Sequence, residues 1–399
     1  MALDIKHKKM AFLTGGVGFI GSNIASRLFK DGVQLKLLVR KKKAENSAER
    51  VNNVIRSVNP ENVHCKDLYE VIEGDIKERN LLLKEDICRK LENKIDEVWH
   101  CAAALSFDEM NAEETKAINI EGTKNVFAFA CKIGARKFHF ISTAYVCGDR
   151  KGTVFENELD CGQKFKNTYE KSKYEAEKLV KEYGRKYNLQ TTIYRPSIVL
   201  GDSKTGFTSN FMGYYYIARV LFLLKMKFSN ELKKNPDKYA TNGICLVNEN
   251  LSLPVRIPCS NTSTVNLVNV DHLAEQITAI AQSKESNGKV FHIVNPNPPV
   301  SRFLCENTLN ILGIEGCRFV NLPKYTELEP VDKVITQIER DIYKNCKSYI
   351  PYMLNEPIFD NSNVRHVLGS AYKPPPTITL DLLKIILSYA IRSNFKPIS

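Results

Sequence analysis

Residues 11–22 read AFLTGGVGFIGS, and this stretch decides the fold of the chain. Its apolar start predicts a short buried strand, its glycines a tight turn, and the residues that follow an amphipathic helix. Gly15, Gly18 and Gly21 let the backbone turn sharply, approach a pyrophosphate closely and pack the helix against the strand. The phosphates would lie at the helix N-terminus, where backbone N–H groups lack partners. The stretch therefore predicts a dinucleotide-binding site.

The size and charge of the chain are those of a globular protein with a basic surface. Its 399 residues allow one large domain or two unequal domains, and its 43% hydrophobic and 26% charged content is ordinary. The net charge of +12 comes mostly from lysines spread along the chain. Such a surface attracts phosphorylated cofactors, acidic carrier proteins or anionic lipid. Nucleic acid is not expected as a partner, because no basic stripe interleaved with aromatic residues is present.

The cysteines and apolar stretches bear on the cellular compartment. Eleven cysteines are scattered singly, without C-x-x-C pairs or metal-ligand spacing to histidine, so no metal site is expected. Free thiols are typical of a reducing compartment. The N-terminus carries charge and lacks a long apolar run, and no stretch reaches the ~18–20 apolar residues of a membrane span. We therefore expect a cytoplasmic protein without a membrane span, with peripheral membrane contact left open.

The residue after the second predicted strand bears on which dinucleotide binds. Residues 34–39 are expected to form this strand, and Arg40 follows it. An acidic residue there would bond both ribose hydroxyls and favour NAD, whereas an arginine pairs with the 2′-phosphate of NADP. Arg50 lies on the next predicted helix and supplies a second contact if the loop folds back. The sequence thus predicts NADPH as the cofactor.

The ends of later strands contribute further candidate cofactor contacts. Asp75, at the end of the third predicted strand, is placed to accept a hydrogen bond from the adenine amine. Asn119 lies on a helix predicted over residues 113–133, where it either contacts the cofactor or bonds backbone at a kink. Small residues follow the fourth strand and let the cofactor lie against the sheet edge, where such sheets bind ligands: Ala102, Ala103 and Ala104.

Strands alternate with helices along the first half of the chain. This order indicates an α/β fold with a doubly wound, mainly parallel (Rossmann) sheet and right-handed crossovers. We expect residues 1–205 to form the NADP-binding Rossmann domain and residues 206–399 a smaller, mostly helical substrate-binding region. Some strands within about residues 262–296, at 265–268 and 290–294, are expected to return to the Rossmann sheet.

Two stretches of the second half are less regular. Residues 211–228 are rich in aromatic and aliphatic side chains at helical spacing, which is typical of a core helix and also suits the wall of an apolar substrate tunnel. Residues 230–254 are polar and rich in asparagine, so an extended loop is expected there.

Three side chains form the expected catalytic group. Tyr169 and Lys173 stand four residues apart, so on a helix they share one face. An ammonium beside a phenol lowers the pKa of the phenol, which lets Tyr169 exchange a proton at a carbonyl oxygen, and Lys173 also holds the nicotinamide ribose. Residues 138–146 are expected to form the fifth strand and to deliver Thr143 to the same oxygen. Its neighbour Ser142 would point to the opposite face of the strand, so we favour Thr143.

Together these residues resemble the extended short-chain dehydrogenase/reductase superfamily. Three finer motifs are similar to its thioester reductase and fatty acyl-CoA reductase branch: HCAAA at 100–104 with FDE at 107–109, STAYV at 142–146, and RPSIVLGDSKTG at 195–206. The similarity covers about residues 9–300. The pattern and the resemblance together give the expected cofactor contacts: Thr14, Gly15, Gly16, Gly18, Phe19, Ile20, Gly21, Arg40, Arg50, Asp75, Ile76, Ala102, Ala103, Ala104, Asn119, Tyr169, Lys173, Pro196, Ser197 and Ile198.

The resemblance also implies a reaction. That branch uses NADPH to reduce an acyl thioester, on coenzyme A or an acyl-carrier protein, to an aldehyde and in some members onward to an alcohol. Thr143 and Tyr169 would hold the developing oxyanion while the tetrahedral adduct expels a thiolate. Because this chain shows no adenylation or carrier segment, its acyl donor is expected to arrive in trans.

Three other functions stay open at this point. A sugar-nucleotide epimerase or dehydratase uses the same fold and triad, although dehydratases tend to carry Asp-Glu where Ala144-Tyr145 stands here. A ketone reductase for steroid-like or flavonoid-like substrates suits an apolar pocket equally well. An NADP-sensing scaffold would bind the cofactor without turnover, but such proteins usually lack the tyrosine or the lysine.

Overall fold

The computed structural model of the chain describes residues 8–42, 45–320, 332–354 and 356–397. Contacts divide the chain into two compact units, the first comprising Met1–Ser197, Val270–Pro296 and Ile358–Pro374, and the second Ile198–Asn269, Asn297–Pro357 and Pro375–Ser399. The strands are β1 (Met10–Thr14), β2 (Gln34–Val39), β3 (Tyr69–Glu73), β4 (Glu97–His100), β5 (Lys137–Ile141), β6 (Thr153–Val154), β7 (Gln190–Pro196), β8 (Ile198–Leu200), β9 (Cys245–Val247), β10 (Asn250–Ser252), β11 (Arg256–Pro258), β12 (Leu267–Asn269), β13 (Val290–Ile293), β14 (Ile314–Glu315), β15 (Arg318–Val320) and β16 (Ile358–Phe359). The α-helices are α1 (Phe19–Lys30), α2 (Ser47–Val58), α3 (Glu85–Leu91), α4 (Ala112–Lys116), α5 (Gly122–Lys132), α6 (Thr168–Lys186), α7 (Tyr214–Lys234), α8 (Val270–Gln282), α9 (Ser301–Leu312), α10 (Lys333–Cys346), α11 (Ile350–Leu354), α12 (Ser362–Leu368) and α13 (Leu380–Arg392).

A seven-stranded parallel sheet forms the centre of the first unit. Its strand order is β13-β7-β5-β4-β1-β2-β3, and every neighbouring pair is parallel. The strand order changes direction between β1 and β4, and doubly wound sheets bind ligands beyond the carboxyl ends of strands at such a point. With its flanking helices, the sheet confirms the predicted α/β fold.

The central strands of this sheet are buried along most of their length. Phe12 and Leu13 of β1 and Val98 and Trp99 of β4 have no solvent exposure. Parallel strands covered by helices on both faces read as continuous apolar runs rather than as an alternation. These apolar strands therefore form the interior of the sheet. The polar side chains of the candidate active site, described below, lie at or after the carboxyl ends of the strands.

One of the strands expected to return to this sheet does not. The stretch predicted at 265–268 forms β12, which pairs in parallel with β8 in a separate two-stranded sheet of the second unit. Asn269 at its end donates to the Gly201 carbonyl oxygen at 2.8 Å, which ties β12 to the chain after β8. In contrast, β13 joins the large sheet beside β7. The first segment of the first unit accordingly ends at Ser197, whereas the sequence analysis placed this boundary at residue 205.

The stretch at 230–254 is not the extended loop that we expected. The helix α7 continues to Lys234, because the residues after Asn230 are mostly good helix formers. β9 and β10 then pair as an antiparallel hairpin. Its turn residues Asn248 and Glu249 have φ values of 48° and 67°, the left-handed conformation that tight hairpin turns require.

The helix α7 lies at the centre of the second unit. Tyr215 and Ala218 pack in one apolar cluster with Leu383 of α13, and Phe228 packs in another with Leu251 of β10. The stripe at 211–228 thus contributes to the core, one of the two interpretations of its sequence. Within the described ranges, no helix combines the length and the apolar character needed to span a bilayer.

Candidate active site

The turn between β1 and α1 forms a backbone cradle that only glycine fits. Gly15 has a φ of +74°, and a Cβ atom there would lie 2.6 Å from the Ala102 backbone nitrogen. A Cβ on Gly21 would lie 2.2 Å from the Gly15 carbonyl oxygen, and the Gly18 N–H donates to the same oxygen at 2.9 Å. No side chain of the described residues caps α1, and its first turn carries no acidic residue. The geometry fits the pyrophosphate of a dinucleotide, with Gly16 in the turn and Phe19 and Ile20 at the start of α1.

The alanine segment after β4 lies against this cradle. Thr14, at the end of β1, is 1% exposed and its hydroxyl accepts from the Ala102 N–H at 3.3 Å. Ala103 is exposed, and Ala102 and Ala104 are half-buried. Because β1 and β4 are neighbours, the segment follows β4 beside the glycine turn, at the point where the strand order changes direction. The structure therefore brings the cradle and the alanines together.

Arg40 and Arg50 meet at the end of β2. The Arg50 Nη2 donates to the Arg40 carbonyl oxygen at 2.5 Å, so the loop between them folds back. Glu45 also contacts Arg50, with Oε2 3.4 Å from Nη1. Arg40 is exposed, while the Arg50 side chain is 13% exposed. The sequence analysis made a second contact by Arg50 conditional on this fold-back, and the structure meets that condition.

Asp75 and Ile76 follow β3 in a tight turn. Asp75 is half-buried, and its Oδ1 accepts from the Lys77 N–H at 3.0 Å. Ile76 packs against Gly122, where a Cβ atom would lie 2.9 Å from Ile76 Cδ1. The Ile76 carbonyl oxygen also accepts from Asn125 Nδ2 at 2.9 Å. These contacts fix the turn that presents the Asp75 carboxylate.

Asn119 is a structural clamp rather than a free side chain. It lies in a π-helical segment, Ala117–Glu121, and is 1% exposed. Its Oδ1 accepts from the Ala104 N–H at 2.8 Å, and its Nδ2 donates to the Ala104 carbonyl oxygen at 3.0 Å and to Ser172 Oγ at 2.9 Å. The side chain therefore bonds backbone at a helix irregularity, the structural alternative that the sequence analysis had named.

The end of β5 separates two hydroxyl groups. The strand ends at Ile141 rather than at residue 146, because Thr143 caps a short 3-10 helix by accepting from the Tyr145 N–H at 3.3 Å. Thr143 is 4% exposed, and its hydroxyl lies close enough to the Tyr169 phenol to act against the rise in the pKa of that phenol. Ser142 donates instead to Glu177 Oε2 at 2.9 Å. The structure thus brings Thr143, and not Ser142, to Tyr169.

Lys173 and Tyr169 occupy the same end of α6 but make different contacts. The Lys173 Nζ donates to the Ile141 carbonyl oxygen at 2.5 Å and lies 4.4 Å from the centre of the Phe140 ring. Burial lowers the pKa of Lys173 to about 8, and the carboxylate of Glu177 opposes part of this shift. The sequence argument expected Lys173 to lower the pKa of Tyr169. Instead, burial raises the pKa of this phenol, because a phenolate is poorly solvated there, and the Thr143 hydroxyl only partly offsets the rise.

The last predicted contacts lie at the end of β7. Thr143 Oγ1 is 3.5 Å from the Pro196 carbonyl oxygen, and the Ser197 N–H donates to Ile293 at 3.2 Å. The Ser197 hydroxyl is buried and finds no hydrogen-bond partner among the described residues, so it is available to a ligand. Ile198 begins β8 in the second unit, where its N–H donates to Asn266 at 3.2 Å.

A buried ion pair beneath the site escaped the sequence analysis. Arg195 donates from Nη2 and Nε to the two carboxylate oxygens of Glu177 at 2.6 and 3.0 Å, and neither side chain has any solvent exposure. Glu177 thereby links α6 to β7, and through Ser142 to the end of β5. An arginine near the end of the buried strand β7, together with an acidic residue four positions after Lys173, was the available signal.

The chain is similar in sequence to known reductases. A family model described as Male sterility protein matches residues 13–277. The L-2-aminoadipate reductase large subunit of Penicillium chrysogenum is 25% identical over 421 residues, which cover 97% of this chain and 27% of that protein. The fatty acyl-CoA reductase wat of Drosophila melanogaster is 29% identical over 244 residues, which cover 51% of this chain and 46% of that protein. The chain thus spans about a quarter to a half of the length of these curated relatives.

A solved structure shares the fold over nearly the whole chain. The terminal R domain from the myxalamid PKS-NRPS biosynthetic pathway superposes with a TM-score of 0.74 at 21% sequence identity, covering 97% of this chain and 92% of that domain. At this level of identity the similarity concerns the fold alone.

Proposed function

The chain belongs to the Male sterility protein family, in the thioester reductase and fatty acyl-CoA reductase branch of the extended short-chain dehydrogenase/reductases, and from this premise we propose that it reduces acyl thioesters with NADPH. The product is an aldehyde, or an alcohol after a second reduction. The observation that carries the proposal is that Thr143 follows β5 close to Tyr169 and Lys173 of α6, on the same sheet edge as the glycine cradle.

The proposed chemistry uses few groups of the chain. When bound, NADPH supplies a hydride. Thr143 and Tyr169 donate hydrogen bonds to the thioester carbonyl oxygen and stabilise the negative charge that develops on it. A phenol with a raised pKa is a suitable donor, because its proton is retained until charge appears on the oxygen. The tetrahedral adduct then expels a thiolate, which leaves without strong acid help because a thiol has a pKa of about 8.5.

Two similar proteins support a thioester as the acyl donor. One matched relative is a fatty acyl-CoA reductase, and another solved structure with this fold is a thiolation-reductase di-domain from an archaeal non-ribosomal peptide synthetase. Coenzyme A and an acyl-carrier protein present the acyl group through the same thioester. The net charge of +12 suits both donors, since coenzyme A carries phosphates and carrier proteins are acidic.

The preference for NADPH over NADH rests on Arg40 and Arg50. Arg40 is exposed directly after β2, where dinucleotide-binding sheets meet the adenosine ribose. Arg50 holds the Arg40 carbonyl oxygen, which fixes the backbone from which the Arg40 side chain reaches the 2′-phosphate. A phosphate pairs with a guanidinium through charge-assisted hydrogen bonds.

Replacing Arg40 with aspartate is expected to weaken NADPH binding by about tenfold to a hundredfold and to leave NADH binding nearly unchanged, because the change removes one charge-assisted contact worth about 1.5–3 kcal/mol. The Arg50 bond to the backbone of residue 40 survives this change. Fluorescence titration with both nucleotides measures the effect.

The matched control for this variant is Arg56→Asp. Arg56 is exposed on the last turn of α2. Its replacement with aspartate makes the same change in net charge as Arg40→Asp. An equal loss of affinity for NADPH and NADH in Arg40→Asp would show that the 2′-phosphate is recognised elsewhere.

A substrate panel tests the reaction itself. NADPH oxidation, followed by absorbance, is expected with acyl-CoA thioesters, together with release of free thiol. UDP-sugars represent the epimerase alternative, and a panel of hydroxysteroids and ketosteroids represents the ketone reductase. Oxidation of NADPH with a ketone alone would exclude the thioester assignment.

A further inference from the structure

One buried histidine side chain contacts both β1 and α5. His100 ends β4 and is 1% exposed. Its Nδ1 lies 2.7 Å from Thr14 Oγ1, and its Nε2 lies 3.0 Å from Thr123 Oγ1. The ring therefore bridges the strand that leads into the glycine cradle and the helix α5.

The hydrogen bonds around this ring have only one consistent direction. Thr123 Oγ1 donates its single proton to the Asn119 carbonyl oxygen at 2.6 Å, so it can only accept from His100. His100 Nε2 must then carry the proton. Burial and the charge of Lys173 lower the pKa of His100 to about 3, so the ring is neutral and Nδ1 is unprotonated. Thr14 Oγ1 therefore donates to Nδ1 and keeps its lone pairs for the Ala102 N–H.

From Thr123 the hydrogen bonds run on to the catalytic helix. Asn119 bonds both backbone polar groups of Ala104 and donates to Ser172 Oγ. Ser172 Oγ in turn donates to the Tyr169 carbonyl oxygen at 2.8 Å. One arm from His100 thus ends at Ala102 beside the cradle, and the other ends at Ala104 and the backbone of Tyr169.

We propose that His100, as its neutral Nε2–H tautomer, is a positioning residue that sets the alanine segment and Tyr169 relative to each other. The ring does not reach the reacting atoms and acts through the two arms. One arm aligns the backbone beside the glycine cradle, and the other aligns the first turn of α6. The kinetic part of this proposal rests on the proposed reductase function, whereas the tautomer and the bonding do not.

The first test reads the tautomer directly. Nitrogen-15 NMR of the histidine rings, with the His100 resonances identified by their absence in His100→Phe, is expected to show a protonated Nε2 and an unprotonated Nδ1. No titration is expected between about pH 5 and about pH 8, where an ordinary histidine changes charge. A protonated Nδ1, or a ring that titrates in this range, would overturn the proposal.

The second test separates the two arms with amide side chains. Asparagine places its oxygen near the position of Nδ1, so His100→Asn keeps an acceptor for Thr14 and loses the bond to Thr123. Glutamine places its amide nitrogen near Nε2, so His100→Gln keeps a donor to Thr123 and loses the bond to Thr14. We expect His100→Asn to lower kcat about tenfold with NADPH affinity retained, and His100→Gln to weaken NADPH about tenfold with kcat retained at saturation, since one buried hydrogen bond is worth about 1–2 kcal/mol.

The controls keep the two proposals distinguishable. His100→Phe keeps the packing against Phe140 but loses both arms, so it is expected to lose both affinity and kcat. Normal values in this variant, or the same loss of both parameters in the Asn and Gln variants, would reduce His100 to a packing residue. If no thioester supports turnover while the NMR and the NADPH affinities follow expectation, the reductase assignment fails and the bonding role of His100 stands.

Discussion

Replacing Tyr169 with phenylalanine is expected to lower turnover by about two or more orders of magnitude while NADPH binding stays nearly unchanged, as for the loss of a general acid. The substitution removes only the hydroxyl, so the ring still packs against Phe107. The thioester oxygen thereby loses one of the two hydroxyl groups proposed to stabilise it, and Thr143 alone remains. NADPH oxidation with an acyl-CoA measures turnover, and fluorescence titration measures cofactor affinity.

Tyr174 supplies the matched control on the same helix. It lies five residues after Tyr169 on α6, and its hydroxyl contacts the exposed side chain of Lys178 at 3.4 Å. Tyr174→Phe removes the same atom from the same element and is expected to leave turnover within about twofold, because surface substitutions have small effects. Near-normal activity in Tyr169→Phe would refute the assignment of Tyr169 as the proton donor.

Gly15→Ala is expected to weaken NADPH binding by at least about tenfold, equivalent to 1.4 kcal/mol or more. The added methyl group would lie 2.6 Å from the Ala102 backbone nitrogen, a contact that neither side can relieve by a rotamer change. The glycine turn and the alanine segment must therefore separate, and both border the cradle. Isothermal titration with NADPH measures the loss.

Gly32→Ala separates this clash from backbone strain. Gly32 has a φ of +72°, close to that of Gly15, but a Cβ atom there would meet nothing within 4 Å. In both variants, the strain of a left-handed backbone is expected to lower the free energy of unfolding by about 1–2 kcal/mol. Only Gly15→Ala is expected to lose cofactor affinity. Equal NADPH affinities in the two variants would show that the turn does not bind the cofactor.

The sequence was a good guide wherever short-range pattern decides structure. The strand, turn and helix around Gly15 form where the glycines and the apolar run placed them, and β2 has the predicted bounds of Gln34–Val39. It failed at β12, because the residues at 265–268 are apolar enough for either sheet and only the pairing partner separates the two. The long strand expected to residue 146 ended early because the Thr143 hydroxyl caps a turn, a hydrogen bond that apolar periodicity does not reveal.

At the candidate site, the sequence was a better guide to where the candidate catalytic residues lie than to their electrostatics. The four-residue spacing placed Tyr169 and Lys173 on one helix. Ser142 and Thr143 do point to different partners, as expected, but both lie beyond the end of β5, so strand alternation is not the reason. The direction of the Tyr169 pKa shift was wrong, because the burial of a phenol depends on everything packed around it. The pKa of Lys173 likewise depends on burial, which the spacing of residues in the sequence does not reveal.

By itself the sequence determined that this chain makes a parallel, doubly wound sheet with a glycine turn at its first helix, since glycine content and apolar periodicity act over a few residues. Only the tertiary structure decided that His100 joins Thr14 to Thr123, and that Glu177 of α6 pairs with Arg195 of β7. Such bonds join residues far apart in the chain, and a buried polar group must find its partner wherever the packed fold puts one.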